Sequence, residues 1–228
     1  MLDRWFTRKS RLDPALQQRL AAWQAQAAPP AEANFAASRY VVLDCETSGL
    51  DPRSDRLLAV GAVGLAGLRV ALADSFDTVL RQDQASRREN IVIHGIGAAA
   101  QLEGEDPPQA LMRLLEFCGK SPLIAYQAPF DEAFTRRCID WHLGLRLRLP
   151  WLDLAAILPV LFDAKPNQPL DHWLLRFGIE VPARHSALGD AFATAQLAQI
   201  GFSRARAQGV EGFAALAKLA RDTRWLHD

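Results

Sequence analysis

The sequence predicts an α/β domain with a mixed five-stranded sheet flanked by helices, preceded by an N-terminal helical extension. A three-stranded meander, two short apolar runs between helical stretches and a Pro-rich break before the meander support this prediction. A meander followed by alternating helices and short strands is typical of an α/β fold with a mixed sheet. The length of 228 residues, half of them apolar, suits one substantial domain, or one domain with an appendage.

The N-terminal segment contains one predicted helix, over residues 15–27. Asp13 is suited to cap this helix and Pro14 to occupy its first position. Residues 27–33, with two adjacent prolines, are typical of a linker. The helix is either docked on the domain or part of a mobile arm, and the mobile arm is the simpler expectation. We therefore divide the chain into an extension and linker, a principal domain, and C-terminal helices packed on that domain: residues 1–38, 39–202 and 203–228.

The principal domain begins with a compact apolar run at residues 40–43, as expected of a buried strand. Two further strands are predicted at residues 56–66 and 68–80, with Gly67 at the turn between them, and two short ones at residues 122–126 and 150–152. Helical stretches dominate the rest of the domain, and we predict helices at residues 108–118, 131–142, 154–162, 170–177 and 187–200.

Charge and composition exclude several classes of protein. The formal net charge is zero, so no global basic field indicates a nucleic-acid binder, although residues 39–202 carry a net charge of −4 between mildly basic ends. The longest nearly uninterrupted apolar run, residues 57–68, is short for a membrane span and contains three glycines. The three cysteines are too far apart for zinc-binding spacing and are expected to be reduced thiols. We expect a cytoplasmic protein with no membrane partner.

Two carboxylates stand at the end of the first predicted strand, in the stretch Asp44-Cys45-Glu46. Because side chains alternate along a strand, Asp44 and Glu46 point to the same face. Carboxylates this close repel each other unless one is protonated or a cation lies between them. A hard cation such as Mg²⁺ fits, since it binds through a few carboxylates and retained waters. The alternative is a pair of solvated acids at a strand end.

Three further residues are candidates for the same chemistry. Asp131 follows Phe130 at a predicted helix start, where an acid also simply complements the helix dipole. His185 and Asp190 would point about 140° apart on one continuous helix, so they meet only if His185 lies before it. A loop histidine beside a helical carboxylate could act as a general base near a metal. The alternative is a surface histidine and one more solvated acid.

The order of these motifs resembles the DEDDh, or DnaQ-like, family of 3′–5′ exonucleases, which includes the proofreading epsilon subunit of bacterial DNA polymerase III, RNase T and oligoribonuclease. Ile93-His94-Gly95-Ile96 matches a further family signature, and Trp151-Leu152-Asp153-Leu154 is similar to an aspartate-containing stretch before a family helix. The resemblance covers residues 40–200 and implies a ribonuclease H-like fold. One departure is Tyr126-Gln127-Ala128-Pro129, where the family usually has Asn or His.

The resemblance implies two-metal hydrolysis that releases nucleoside 5′-monophosphates from a 3′ end. Two divalent cations, Mg²⁺ or Mn²⁺, would be held by Asp44, Glu46, Asp131 and Asp190, and would offset the net charge of the central region. His185 would accept a proton from the attacking water. The terminal nucleotide would contact Thr47, Leu50, His94 and Phe130, although ordinary packing is an alternative for Leu50 and Phe130.

The leading expectation for the substrate is a 3′ end of single-stranded DNA. An exoribonuclease of the RNase T or oligoribonuclease type is an alternative, since the metal chemistry is the same, and so is a non-catalytic nucleic-acid-binding or regulatory module. The complete acidic set argues against the non-catalytic alternative. A stand-alone nuclease or one that docks through its N-terminal helix is expected, while the DNA polymerase III core as a partner, homodimerisation, and proofreading as opposed to repair or turnover all stay open.

Overall fold

The computed structural model describes residues 12–30, 33–181 and 184–224, and within them five strands form one mixed sheet. The sheet order is β3-β2-β1-β4-β5. The first three strands pair antiparallel, whereas β4 and β5 continue from β1 in parallel. This arrangement confirms the predicted mixed sheet, whose strands are β1 Arg39–Thr47, β2 Leu57–Ala66, β3 Arg69–Val79, β4 Leu123–Ala125 and β5 Trp151–Asp153.

Helices cover both faces of the sheet. The described helices are α1 Pro14–Gln24, α2 Arg88–His94, α3 Ala98–Leu102, α4 Pro107–Cys118, α5 Ala128–Leu143, α6 Leu154–Leu161, α7 Leu170–Phe177, α8 Ala187–Ala207 and α9 Phe213–Arg224. None of these helices, in the part of the chain that the structure describes, is long and apolar enough to cross a membrane.

The central strand β1 is apolar on both faces because both are buried. Val41 and Leu43 belong to a core that includes α1, α4 and α5, while Tyr40 and Val42 face a second core formed largely by α6 to α9. Alternation along the strand thus divides one apolar run between two layers. A strand buried on both sides holds the side chains near its C-terminal end in fixed positions.

Several boundaries differ from the predicted ones. The strand β1 continues to Thr47, so Asp44 and Glu46 lie within the strand rather than after it. Helix α5 begins at Ala128 because Pro129 is tolerated in a first helical turn, where its missing N–H has no helical partner to lose. Helix α8 runs to Ala207, past both the predicted helix end and residue 202. The short helices α2 and α3 are too brief for a periodic pattern to predict them.

Helix α1 is docked on the domain, so the expectation of a mobile arm is wrong for this segment. Leu16, Leu20 and Trp23 are buried against the core that contains α4. The Asp13 carboxylate accepts the Leu16 amide at 2.8 Å, as expected of a capping residue. Residues 1–11 and 31–32 of the proposed extension and linker, and 225–228 of the C-terminal segment, lie outside the described residues. The domain boundaries stay predictions.

Candidate active site

Two carboxylates project from β1 near its C-terminal end. Asp44 and Glu46 lie two residues apart in the strand, on one face, as the alternation predicts. Asp44 pairs across the ladder with Gly61 of β2, and the register shifts between Glu46 and Thr47. The irregularity ends regular pairing just beyond the two acids.

Helix α8 brings a third carboxylate to this point. Oxygens of Asp44, Glu46 and Asp190 all lie within 4.8 Å of one another. The approach depends on Gly61, because a Cβ at that position would lie 2.1 Å from the carbonyl carbon of Ala187 in the first turn of α8. A glycine on β2 therefore lets the start of α8 reach the sheet with Asp190 beside β1.

Asp131 lies next to this cluster rather than within it. It stands in the first turn of α5, only 3% exposed, and its Oδ1 accepts the backbone N–H of Cys45 at 3.0 Å. Cys45 separates Asp44 from Glu46, so this bond ties α5 to the segment that carries both acids. The start of α5 is also fixed by Asp153, whose Oδ1 accepts the amides of Ala128 at 3.3 Å and Ala155 at 3.1 Å.

Burial and mutual repulsion raise the pKa values of these acids. The pKa of Asp44 is raised well above its usual range, first by burial and then by repulsion from Asp131, Asp190 and Glu46. Burial, reinforced by Asp190, raises the pKa of Glu46 to about 7. Burial raises the pKa of Asp131 to about 8, although its hydrogen bonds with Cys45 oppose the increase. The concentrated negative charge and all-oxygen donor set fit a hard divalent cation.

A cation that the sequence did not predict already contacts the cluster. The Arg184 guanidinium pairs with Asp190 and also with Asp171 of α7, at 2.9 Å. It lowers the pKa of Asp44 and of Glu46, but their pKa values remain raised. Its position directly before His185 is the only signal in the sequence that could have indicated it.

His185 lies immediately before α8, which confirms that it is not on the helix. Ser186 occupies the N-cap position, although its side chain forms no capping hydrogen bond. The His185 backbone has a φ of +60° and its N–H donates to Asp190 Oδ2 at 3.2 Å. His185 is an exposed residue. The backbone turn thus brings the predicted pair together, while His185 stays open to solvent.

Three of the four predicted nucleotide contacts lie within four residues of Glu46 or Asp131 in the sequence. Leu50, in the loop after β1, is 83% exposed, whereas Phe130 is partly buried, with its ring 4.8 Å from that of Phe134. The Thr47 hydroxyl donates to the carbonyl of Gly49 at 2.7 Å and so shapes this loop. Their roles in binding stay predictions. Gln127, at the departure from the family pattern, has a φ of +62° and no side-chain capping bond.

His94 is buried and its ring is hydrogen-bonded through both nitrogens. It is 4% exposed, its Nδ1 accepts the Ile96 amide at 3.0 Å, and its Nε2 lies 3.2 Å from the Ser86 hydroxyl. With Nδ1 as acceptor, the bond network assigns the proton to Nε2. Burial lowers the pKa of His94, which favours the neutral ring. These contacts hold α2 and the following turn, so the predicted role in binding stays a prediction.

The sheet order is that of a ribonuclease H-like fold, and carboxylates from β1 and α8 converge on it. Crystal structures of exonuclease I share this fold. The Escherichia coli enzyme in complex with a dT13 oligonucleotide superposes with a TM-score of 0.62 at 21% identity, covering 75% of this chain and 42% of that one. The Methylocaldum szegediense enzyme gives 0.60 at 21% identity, covering 73% and 41%.

The chain belongs to the RNase T exonuclease family, whose family model, described as "Exonuclease", matches residues 41–198. A DNA polymerase III subunit epsilon-like protein of Rhodobacter capsulatus is 31% identical, over 83% of this chain and 27% of that protein. A DNA polymerase III subunit epsilon of Rickettsia conorii is 30% identical, over 70% and 71%. The chain spans about a quarter of the length of the first relative.

Proposed function

We propose that the protein is a metal-dependent 3′–5′ exonuclease that removes nucleoside 5′-monophosphates from the 3′ ends of single-stranded DNA. The observation that carries this proposal is the convergence of Asp44, Glu46 and Asp190, with ligand oxygens within 4.8 Å of one another. Membership of an exonuclease family supports the reaction class.

The site would hold two divalent cations, Mg²⁺ or Mn²⁺, through these three carboxylates and Asp131. Bound cations would lower the barrier by stabilising the charge on the attacking and leaving oxygens of an in-line displacement at phosphorus. The protein fixes the donors in advance: Asp44 and Glu46 by the buried strand, Asp190 by the approach of α8 to Gly61, and Asp131 by the Cys45 amide. Removal of any one of these four carboxylates leaves the remaining ones misplaced, or too few to hold two cations.

The proton of the attacking water needs an acceptor that is close to the cluster and open to solvent. His185 is suited to this role, because its backbone N–H donates to Asp190 and the residue is exposed. A ring nitrogen of His185 accepts the proton in our proposal. Thr47, Leu50, His94 and Phe130 would hold the terminal nucleotide, with His94 acting through the turn that it stabilises.

The names of the similar proteins favour single-stranded DNA as the proposed substrate of this chain. The E. coli exonuclease I in the comparison is bound to a dT13 oligonucleotide. One relative is named a DNA polymerase III subunit epsilon, and another a subunit epsilon-like protein. We also propose that this chain associates with a DNA polymerase core. The metal chemistry does not distinguish DNA from RNA, since only recognition of the 2′-hydroxyl separates them.

The proposal is tested with 5′-labelled single-stranded DNA and RNA of the same sequence, incubated with Mg²⁺, Mn²⁺ or a chelator. We expect a ladder that shortens from the 3′ end, with DNA degraded faster than RNA, and no cleavage in chelator. If RNA is degraded faster than DNA, the proposed substrate is wrong and the chain acts on RNA. Release of the 5′ label as a mononucleotide from the start of the reaction, with no ladder, would contradict the proposed polarity.

The matched variants are Asp44→Asn and Asp140→Asn, which remove one negative charge each with almost no change in shape. Asp140 is exposed on α5, away from the cluster. Cleavage should be lost in Asp44→Asn and retained in Asp140→Asn. If Asp44→Asn cleaves like the unmodified chain, the carboxylate cluster is not the active site.

A further inference from the structure

A cleft, called here the basal cleft, lies at the opposite end of the sheet from the carboxylate cluster. It has a volume of about 730 Å³, within the range of about 300–1,000 Å³ typical of ligand-binding pockets. It opens among α1, the segment after it, the loop after α5 and the start of α9. Tyr40 lines it at the beginning of β1, roughly 20 Å from Glu46 at about 3.3 Å per strand residue.

Of the residues that the structure describes, the charged side chains that line the basal cleft are all positive: Lys120, Arg146 and Arg148. Among the described residues these three cations form no ion pair, and the Lys120 ammonium lies 3.2 Å from the centroid of the Trp23 ring. Partial burial also lowers the pKa of Lys120. The cleft is therefore complementary to a negatively charged ligand.

A buried hydroxyl in the cleft wall has no well-formed hydrogen bond. Tyr40 is 1% exposed, and its Oη lacks a partner of standard geometry. The nearby Ser38 hydroxyl donates instead to the Asn34 carbonyl at 2.8 Å. Burial raises the pKa of Tyr40, and the proximity of Ser38 offsets part of that increase. The Tyr40 hydroxyl is thus buried within the wall, and the choice of ligand rests on the charged and apolar side chains that face the cleft.

Most of the remaining wall is apolar, with prolines, leucines and the rings of Trp23, Tyr40 and Phe213, and the polar side chains of Gln24, Gln26 and Ser38 also line it. Single-stranded nucleic acid requires exposed aromatic faces on which its bases can stack. Trp23 is 4% exposed and is covered by Lys120, and Tyr40 is buried. Phe213 is only partly exposed, with its ring stacked 6.4 Å from that of Tyr40, so the wall offers no row of open faces on which successive bases could stack. An apolar floor with cations and no stacking platform instead suits a peptide that combines apolar and acidic side chains.

We propose that the basal cleft is a docking site for an acidic peptide segment of a partner protein. An apolar side chain of the peptide occupies the floor, and flanking carboxylates pair with Lys120, Arg146 and Arg148. The site is separate from the carboxylate cluster, so the exonuclease activity of the chain does not depend on it. Its function is to place the nuclease next to another protein.

The test begins with a random dodecapeptide library displayed on phage and selected on the full chain. We expect the enriched peptides to have a net negative charge and at least one large apolar residue. Synthetic fluorescent copies are then titrated with the full chain and with the double variant Arg146→Glu/Arg148→Glu. The affinity should fall at least tenfold, because two attractive contacts become repulsive.

Two matched variants separate docking from non-specific charge attraction and from misfolding. Arg69→Glu/Lys165→Glu changes the net charge equally at exposed positions outside the cleft and should bind like the unmodified chain. Ala214→Trp fills the cleft without changing charge and should also weaken binding at least tenfold. All variants should keep the thermal midpoint within a few degrees and the same rate of oligonucleotide cleavage.

The proposal is overturned if the enriched peptides are neutral or basic, or if the cleft variants bind them as tightly as the unmodified chain does. It is also overturned if dT13, added with chelator, displaces the peptides and loses affinity in the same variants, since the cleft would then bind nucleic acid. Concentration-dependent dimers that dissociate in Ala214→Trp would identify a second copy of this chain as the occupant instead.

Discussion

Substitution of Gly61 by alanine should displace the start of α8 and damage the active site without removing any carboxylate. The added Cβ would lie 2.1 Å from the Ala187 carbonyl carbon and 2.2 Å from the Leu188 nitrogen. Carbon atoms in contact are about 3.5–4.0 Å apart, so the strand and the helix must separate by more than about 1 Å. Asp190, three residues further along α8, would move away from Asp44 with the helix.

Two measurements quantify this displacement. Overpacking of this kind costs about 1–3 kcal/mol, which urea unfolding should report as a lower free energy of unfolding. A misplacement of about 1 Å in an active site can cost about 100-fold in rate, so kcat for oligonucleotide cleavage should fall by that order. Gly97→Ala is the matched control, because Gly97 has a φ of −59° and a Cβ there would meet nothing within 4 Å. Unchanged kcat and stability in Gly61→Ala would refute the geometric argument.

Three further predictions follow from other parts of the molecule. Trp23→Ala should lower the free energy of unfolding by about 3–5 kcal/mol, measured by urea denaturation, because it empties a core site and removes the bond from Nε1 to the Gly119 carbonyl. His94→Ala should cost about 1–3 kcal/mol in the same assay, because the Ser86 hydroxyl and the Ile96 amide lose a buried partner. In chelator, the stability of the unmodified chain should fall as pH rises from 4.5 to about 7, since the folded state retains a proton on Glu46 that the unfolded state has lost. Glu46→Gln should make that slope shallower without removing it, because Asp44 and Asp131 also have raised pKa values, and it should abolish cleavage.

Each of these predictions can fail separately. A Trp23→Ala variant as stable as the unmodified chain would show that α1 contributes little to the core. His94→Ala with unchanged stability but a raised KM would make His94 a direct nucleotide contact and not a structural residue. A metal-free chain whose stability rises between pH 4.5 and 7 would contradict the raised pKa of Glu46.

Most of the sheet could be predicted from the sequence because its strands are apolar runs separated by clear turn signals. The meander was predicted within one or two residues, except that β1 is longer than its apolar part. Polar residues continue the strand because Asp44 and Glu46 retain ladder partners on β2. An apolar pattern cannot show where backbone pairing continues beneath charged side chains.

The elements of the site that the sequence did not predict depend on tertiary contacts. The close approach at Gly61 requires knowledge of which helix lies over β2, and the pairing of Arg184 with Asp190 requires the turn before α8. The docking of α1 depends on Trp23, whose burial a local pattern cannot distinguish from exposure on a mobile arm. Motif order indicated the acids, whereas the spatial relations among them came from the structure.

The central claim is that the carboxylate cluster binds the cations on which cleavage depends, and Mn²⁺ tests it most directly. Binding is measured by calorimetry and cleavage of a 5′-labelled oligonucleotide is measured over the same Mn²⁺ concentrations, for the unmodified chain and for Asp44→Asn. We predict that the rate rises over the concentration range in which Mn²⁺ binds, and that binding and cleavage are both lost in Asp44→Asn. Cleavage that persists in chelator, or in a variant that no longer binds Mn²⁺, would contradict the claim.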